Sequence, residues 1–166
     1  MLTPVKSKGL RAGNSAFAIV ASEYNARYVD AMLRAAKTEL KRAKARQVLV
    51  VRVPGAYEIP LVAARLARTA SAPDPQLDSH QSLSAIICLG VILRGETVHA
   101  AHIGEAVSRA LMQIQLKYEV PVIHEVLLLE NEAQARVRCL NRTHNRGAEA
   151  AQTALKMAKL MQRIRL

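Results

Sequence analysis

Two turns carry most of the polar chemistry of the chain. Val53-Pro54-Gly55-Ala56-Tyr57-Glu58-Ile59-Pro60 follows one apolar, β-branched run, and Gly90-Val91-Ile92-Leu93-Arg94-Gly95-Glu96-Thr97-Val98-His99 follows another. Each passes through glycine into a helical pattern. Ligands of open α/β sheets bind outside the carboxyl ends of the strands, so both turns are expected to feed one site. Gly95-Glu96-Thr97 is expected to open a helix. Free N–H groups and the helix dipole there favour an anion such as phosphate, and glycine lets it approach closely. Thr97 equally suits a plain N-cap. His99 begins the same helix and exchanges protons near neutral pH, although a lone histidine is as often structural. Arg138 and Arg146 suit a phosphate clamp through charge-assisted bonds, or two surface positions. Tyr24 suits stacking on a planar heterocycle with Asn25 hydrogen-bonding beside it. The competing role for Tyr24 is packing at a strand end. His80, His102, His124 and His144 lack the position of His99.

These residues need elements to hold them. Residues 15–21, 47–53 and 83–89 read as buried strands, and 120–129 contains a fourth, begun by Pro121. Helical periodicity over 26–44 places Val29, Met32, Leu33, Ala36 and Leu40 on one face. Helices are also expected over 57–70, with Pro60 in the first turn, and over 98–118. Two more follow near 131–140 and 145–164, broken around 141–144. Residues 72–82 read as a long loop and a local insertion. Apolar strands alternating with helices imply a parallel sheet covered on both faces, a small doubly wound sandwich. The strand ends at Ala21, Val53, Leu89 and Leu129 should then share one edge. There the turns would gather Ser22 to Asn25, Gly55 to Glu58, Gly95 to His99, and Asn131.

The bulk composition narrows the function classes. With 166 residues and 51% hydrophobic content, one globular domain with a real core is expected. Residues 1–14 read as a flexible N-terminal arm and 15–166 as the domain. The basic, acid-free start is weakly transit-like, but a loose arm is the simpler reading. No apolar run approaches a membrane span. Cys88 sits in an apolar strand as a reduced thiol, and no spacing with Cys139 suggests zinc, so no metal is expected. The net charge of +11 invites nucleic acid, but much of it lies on two helices as solvated faces. Aromatics make up only 3% of the chain, too few for stacking platforms along a single strand. No nucleic-acid partner is expected. The field also suits a small anionic substrate. No nucleophile elbow, phosphate-binding Walker loop or dinucleotide fingerprint is present.

The chain resembles lumazine synthase from about Phe17 to Leu160. The resemblance is carried by Phe17-Ala18-Ile19-Val20, Asn25 and the two turns quoted above. It continues through Val120-Pro121-Val122-Ile123, Gln134-Ala135-Arg136-Val137-Arg138 and Asn145-Arg146-Gly147. Order and spacing match across these blocks. The resemblance points to the fungal type and implies a single-domain, three-layer α/β/α sandwich of flavodoxin-like kind with a four-stranded parallel sheet. It implies condensation of 5-amino-6-(D-ribitylamino)uracil with 3,4-dihydroxy-2-butanone 4-phosphate. The product would be 6,7-dimethyl-8-ribityllumazine, the penultimate compound of riboflavin biosynthesis, with phosphate and water released and no cofactor. Riboflavin synthase would be the pathway neighbour, in the cytoplasm.

By position, the resemblance gives the pyrimidine and its ribityl chain to Tyr24, Asn25, Gly55, Ala56, Tyr57, Glu58, Val91, Ile92, Leu93, Ile123 and His124. It gives phosphate to Gly95, Glu96, Thr97, Arg138 and Arg146, and proton transfer to His99, with Arg138 beside it in catalysis. It also implies a homopentamer, in some members built further into an icosahedral 60-mer, with the pocket between subunits. Ile123, His124 and Arg138 would then come from the neighbour. Pro4 and the basic arm favour a free pentamer. The chain departs from the family pattern at His124-Glu125, where many members have Phe-Gly, and at Arg146, where many have Lys. Two readings compete with the enzyme: a lumazine- or flavin-binding protein without turnover, and a basic shell or nucleic-acid-associated protein.

Overall fold

The computed structural model describes residues 9–71 and 83–164. The expected loop over 72–82, with His80, lies outside the described residues, as does Pro4. Four strands, β1 (Ala16–Ser22), β2 (Gln47–Val53), β3 (Leu83–Leu93) and β4 (Val122–Leu129), form one sheet in the order β2-β1-β3-β4. Every pairing is parallel. β1 is buried along its whole length because it is interior and covered on both faces, and its sequence AFAIVAS accordingly carries no polar alternation. β2 lies at an edge and shows partial exposure instead.

Helices α1 (Ala26–Arg42) and α5 (Arg146–Arg163) cover one face. Helices α2 (Ile59–Ser71) and α3 (His99–Tyr118) cover the other. A short helix α4 (Glu132–Ala135) runs into a π-helical segment, Arg136–Leu140. The resulting three-layer sandwich is flavodoxin-like: the chain winds one way from β1 to β2 and the other way from β3 to β4. α1 buries Tyr28, Val29, Met32, Ala36 and Leu40, the stripe its periodicity predicts with Tyr28 in place of Leu33, which is half-buried. Each large member of that stripe stabilises the fold by about 1.5–3 kcal/mol. Lys41 and Arg42 sit in its last turn, where cations complement the dipole. Within residues 9–14, Ala12 is buried and donates its N–H to the Ala43 carbonyl at 2.8 Å.

Two expectations need correction. β3 does not stop at Leu89 but continues to Leu93. Gly90 stays in the strand because the space above it is taken: a Cβ there would meet Val126 Cγ1 at 3.1 Å and Ile59 Cδ1 at 3.2 Å. Gly95-Glu96-Thr97 does not open a helix either. Those residues form an exposed, irregular turn, and α3 starts at His99 with Val98, not Thr97, at its N-cap.

Candidate active site

The switch point of the sheet lies between β1 and β3, and the chain closes it with a side chain. Asn25 follows the β1 turn in left-handed conformation (φ 57°), a region that asparagine tolerates better than most residues. Its side chain does not cap α1. Instead Nδ2 donates to the Val91 carbonyl at 2.7 Å, tying the end of β1 to the extension of β3. The turn after β2 joins the same edge. Glu23 N–H donates to the Val53 carbonyl at 2.8 Å and Tyr24 N–H to the Pro54 carbonyl at 3.1 Å. The Tyr24 ring lies over Gly55, where an added Cβ would stand 3.1 Å from Cδ2. The ring is nevertheless 73% exposed, so it is not packed into the core.

Glu58 accepts the Gly55 N–H at 2.9 Å, which holds Ala56 to Glu58 in a single 3-10 turn. Tyr57 is exposed there and Ala56 is buried. α3 packs against this turn and starts with His99, exposed. One chain therefore gathers Tyr24, Asn25, Gly55 to Glu58, Val91 to Leu93, Gly95 to Thr97 and His99 at the carboxyl edge of β1, β2 and β3.

Ile123 and His124 are elsewhere. They open β4, in register with Ile87 and Cys88, five residues before the carboxyl end at Leu129. That is about 16 Å along the strand. The His124 ring is hydrogen-bonded, Nε2 to Ser108 Oγ of α3 at 2.8 Å. Partial desolvation lowers the His124 imidazole below its ordinary value, offset in part by its backbone hydrogen bond. Arg138 lies in the π-helical segment, exposed, and its charge acts on Glu125, the neighbour of His124. The sequence-derived set thus falls into two groups, one at the carboxyl edge and one on β4 level with Ile87 to Leu89, on which the charge of Arg138 acts.

Arg146 does not present a free guanidinium. Its Nε donates to Glu125 Oε2 at 2.8 Å, a terminal nitrogen donates to Glu125 Oε1, and the other donates to Glu149 at 2.8 Å. Glu125 is only 4% exposed and is the one acid of a strand that is apolar apart from it and His124. Burial pushes its carboxyl up to about 6, against the pull of Arg146. The guanidinium expected at the phosphate is thus engaged by two carboxylates, and a buried carboxylate needs such a fixed partner. Sequence reasoning passed over Glu125 as half of this pair. The available signal was a single acid within an apolar strand. It also passed over Ser108, which nothing but the fold places beside His124. Both cysteines are free and buried; burial pushes the Cys88 thiol far up and Cys139 to about 11, so both are unreactive thiols.

An α/β sandwich with its polar turns at the switch point defines the class: the open parallel sheets that bind small ligands outside the carboxyl ends of their strands. The family model for 6,7-dimethyl-8-ribityllumazine synthase matches residues 14–162. Two proteins called 6,7-dimethyl-8-ribityllumazine synthase, from Stenotrophomonas maltophilia strains R551-3 and K279a, are each 39% identical over 159 residues, covering 93% of this chain and 95% of theirs. A third of that name, from Coxiella burnetii (strain Dugway 5J108-111), is 37% identical over 151 residues, 90% of this chain and 93% of its own. The chain belongs to the 6,7-dimethyl-8-ribityllumazine synthase family. All three of these relatives are bacterial, which gives the fungal type no support.

Proposed function

We propose that the protein condenses 5-amino-6-(D-ribitylamino)uracil with 3,4-dihydroxy-2-butanone 4-phosphate to give 6,7-dimethyl-8-ribityllumazine, phosphate and water, in the cytoplasm. The observation that carries this reading is the gathering of Tyr24, Asn25, Ala56 to Glu58 and Val91 to Leu93 at one sheet edge of a chain of this family. The exposed Tyr24 ring offers a face for the pyrimidine, and Asn25 keeps its Oδ1 for it while Nδ2 holds Val91. Ala56, Tyr57 and Glu58 flank the ribityl chain. The 5-amino group of the pyrimidine attacks the ketone, and one water leaves as an imine forms. Phosphate is eliminated to leave an enol that tautomerises to a ketone. The ribitylamino nitrogen then closes the ring on that carbonyl with loss of a second water. Two reactants held side by side lose less entropy in the transition state, which suits partners already reactive. His99 takes and returns the protons. Gly95, Glu96 and Thr97 receive the phosphate with Arg138.

The pocket is shared between copies of the chain in a homopentamer. Support comes from Ile123 and His124, which lie on β4 level with Ile87 and Cys88, at least three residues short of Val91 in the carboxyl-edge group. A neighbouring copy in a cyclic ring supplies the second group, since cyclic contacts join two different patches. Sedimentation of the purified protein reads the pentamer directly; a monomer with full activity would overturn the shared pocket. Riboflavin synthase then consumes the product.

Turnover is tested by following lumazine fluorescence with both substrates against the uncatalysed background. Saturable acceleration is expected. No acceleration with retained pyrimidine binding would favour a binding protein. His99→Ala is expected to slow turnover by about 10- to 100-fold, the low end of general acid–base effects. A wild-type rate would remove His99 from proton transfer. Arg138→Ala is expected to raise KM for the butanone phosphate by about 10- to 100-fold, the loss of a charge-assisted contact. KM for the pyrimidine should hardly move, and an equal rise in both would undo the assignment.

A further inference from the structure

We propose that Asn145 is the positioning residue for Arg138. The inference rests on the reading that Arg138 binds the phosphate, and names what aims it. The Arg138 guanidinium makes no hydrogen bond or ion pair with any described residue. With no partner fixing the side chain, the region the guanidinium can reach is set by where its backbone is held. That backbone is π-helical over Arg136–Leu140, a wide turn that is rare and occurs mostly as single-turn bulges. A segment of this kind needs support from outside its own hydrogen bonds.

Asn145 supplies it. Its Nδ2 donates to the carbonyl of Cys139, the residue next to Arg138. Its Oδ1 accepts the Gly147 N–H at 2.9 Å, capping α5. The side chain is buried, and both ends of its amide are spent on backbone. One residue thus joins the π-helical segment to the first turn of α5.

That first turn is an anchor because it is fixed on two sides. Arg146 ties it to Glu125 on β4. Gly147 lies against the backbone of α1, where a Cβ would stand 2.0 Å from the Met32 carbonyl oxygen. The path runs from sheet and α1, through the start of α5, across Asn145, to Cys139 and Arg138. Each link is a short-range contact, and each involves a different element.

Asn145→Ser isolates the link. Serine keeps an oxygen able to cap α5 and is too short to reach Cys139. The expected result is a rise of about fivefold in KM for the butanone phosphate, the size of one lost hydrogen bond. KM for the pyrimidine and kcat should stay near wild type. Asn145→Thr, which also keeps a capping oxygen and loses the donor to Cys139, should give the same split and serves if the serine variant fails to fold. Calorimetric titration with inorganic phosphate reads the link without turnover, with Arg138→Ala as the floor. Phosphate affinity between wild type and Arg138→Ala supports the proposal. Unchanged affinity in both Asn145 variants, or an equal rise in both KM values, overturns it. A wild-type protein that binds phosphate but forms no lumazine would remove the enzyme reading and leave the titration to decide this one.

Discussion

Gly147→Ala is expected to cost about 4 kcal/mol or more, the range of the most damaging single substitutions. The added Cβ would fall 2.0 Å from the Met32 carbonyl oxygen and 2.5 Å from its carbon. These are backbone atoms, so no side-chain rotation relieves the clash. α5 would have to withdraw from α1, exposing Met32, Ala36, Ala150, Ala151 and Ala154, all buried. Gly104→Ala supplies the contrast. It lies inside α3, where an added Cβ meets only Leu128 at an ordinary 3.5 Å. Alanine there should stabilise by about 0.5–1 kcal/mol through helix propensity. Urea midpoints of the two variants should move in opposite directions. A Gly147→Ala midpoint close to wild type would mean that α1 and α5 are not in backbone contact.

Arg146→Ala is expected to lose about 3 kcal/mol near pH 8, because it strands a buried carboxylate. The effect must depend on pH. The Glu125 carboxyl stands at about 6 in the folded chain, above its ordinary 4.5, with burial raising it and Arg146 lowering it. A group raised on folding contributes stability that is full below its unfolded value and lost as pH climbs through its folded value. Without Arg146 the folded value rises further, so the variant goes on losing stability above pH 6 where wild type has levelled. The gap between them should widen from pH 5 to pH 8 and shrink below about 4.5. Denaturant titrations at those pH values check this. A gap independent of pH would show that Arg146 acts through packing of its aliphatic stem alone.

Much of the sheet was legible because buried strands are written in a local code. Gln47–Val53 came out at its true limits, since Pro54-Gly55 ends it and nothing distant competes. The extension of β3 was not legible. Gly90 reads as a turn residue, and only the side chains of Val126 and Ile59 packed over it keep it extended. The π-helical segment was equally hidden, since Arg136–Leu140 has the composition of an ordinary helix. Tyr24, Asn25 and the Gly55 to Glu58 turn were placed correctly at the edge because strand ends fix where turns must go. The separation of His124 from that edge follows from chain position in β4, which periodicity already implied. The engagement of Arg146 by Glu125 spans 21 residues and depends on which face of β4 turns toward α5.

The sheet does not end evenly. Pairing between β1 and β3 stops at Leu89, while pairing between β3 and β4 runs on to Leu93. Past that step, the Val91 carbonyl is met by an amide side chain rather than by a strand. Arg94 N–H turns to Leu129 on the β4 side, so by alternation the main-chain groups of Leu93 turn the other way. Main-chain N–H and C=O groups at a sheet edge are a template that pairs with whatever offers donors and acceptors in a row. The rim of a pyrimidine is such a row, flat and only a few atoms long. A uracil ring resting on Tyr24 would meet the grammar that a fifth strand obeys, and a ring with methyl groups on that rim would be refused by the same backbone.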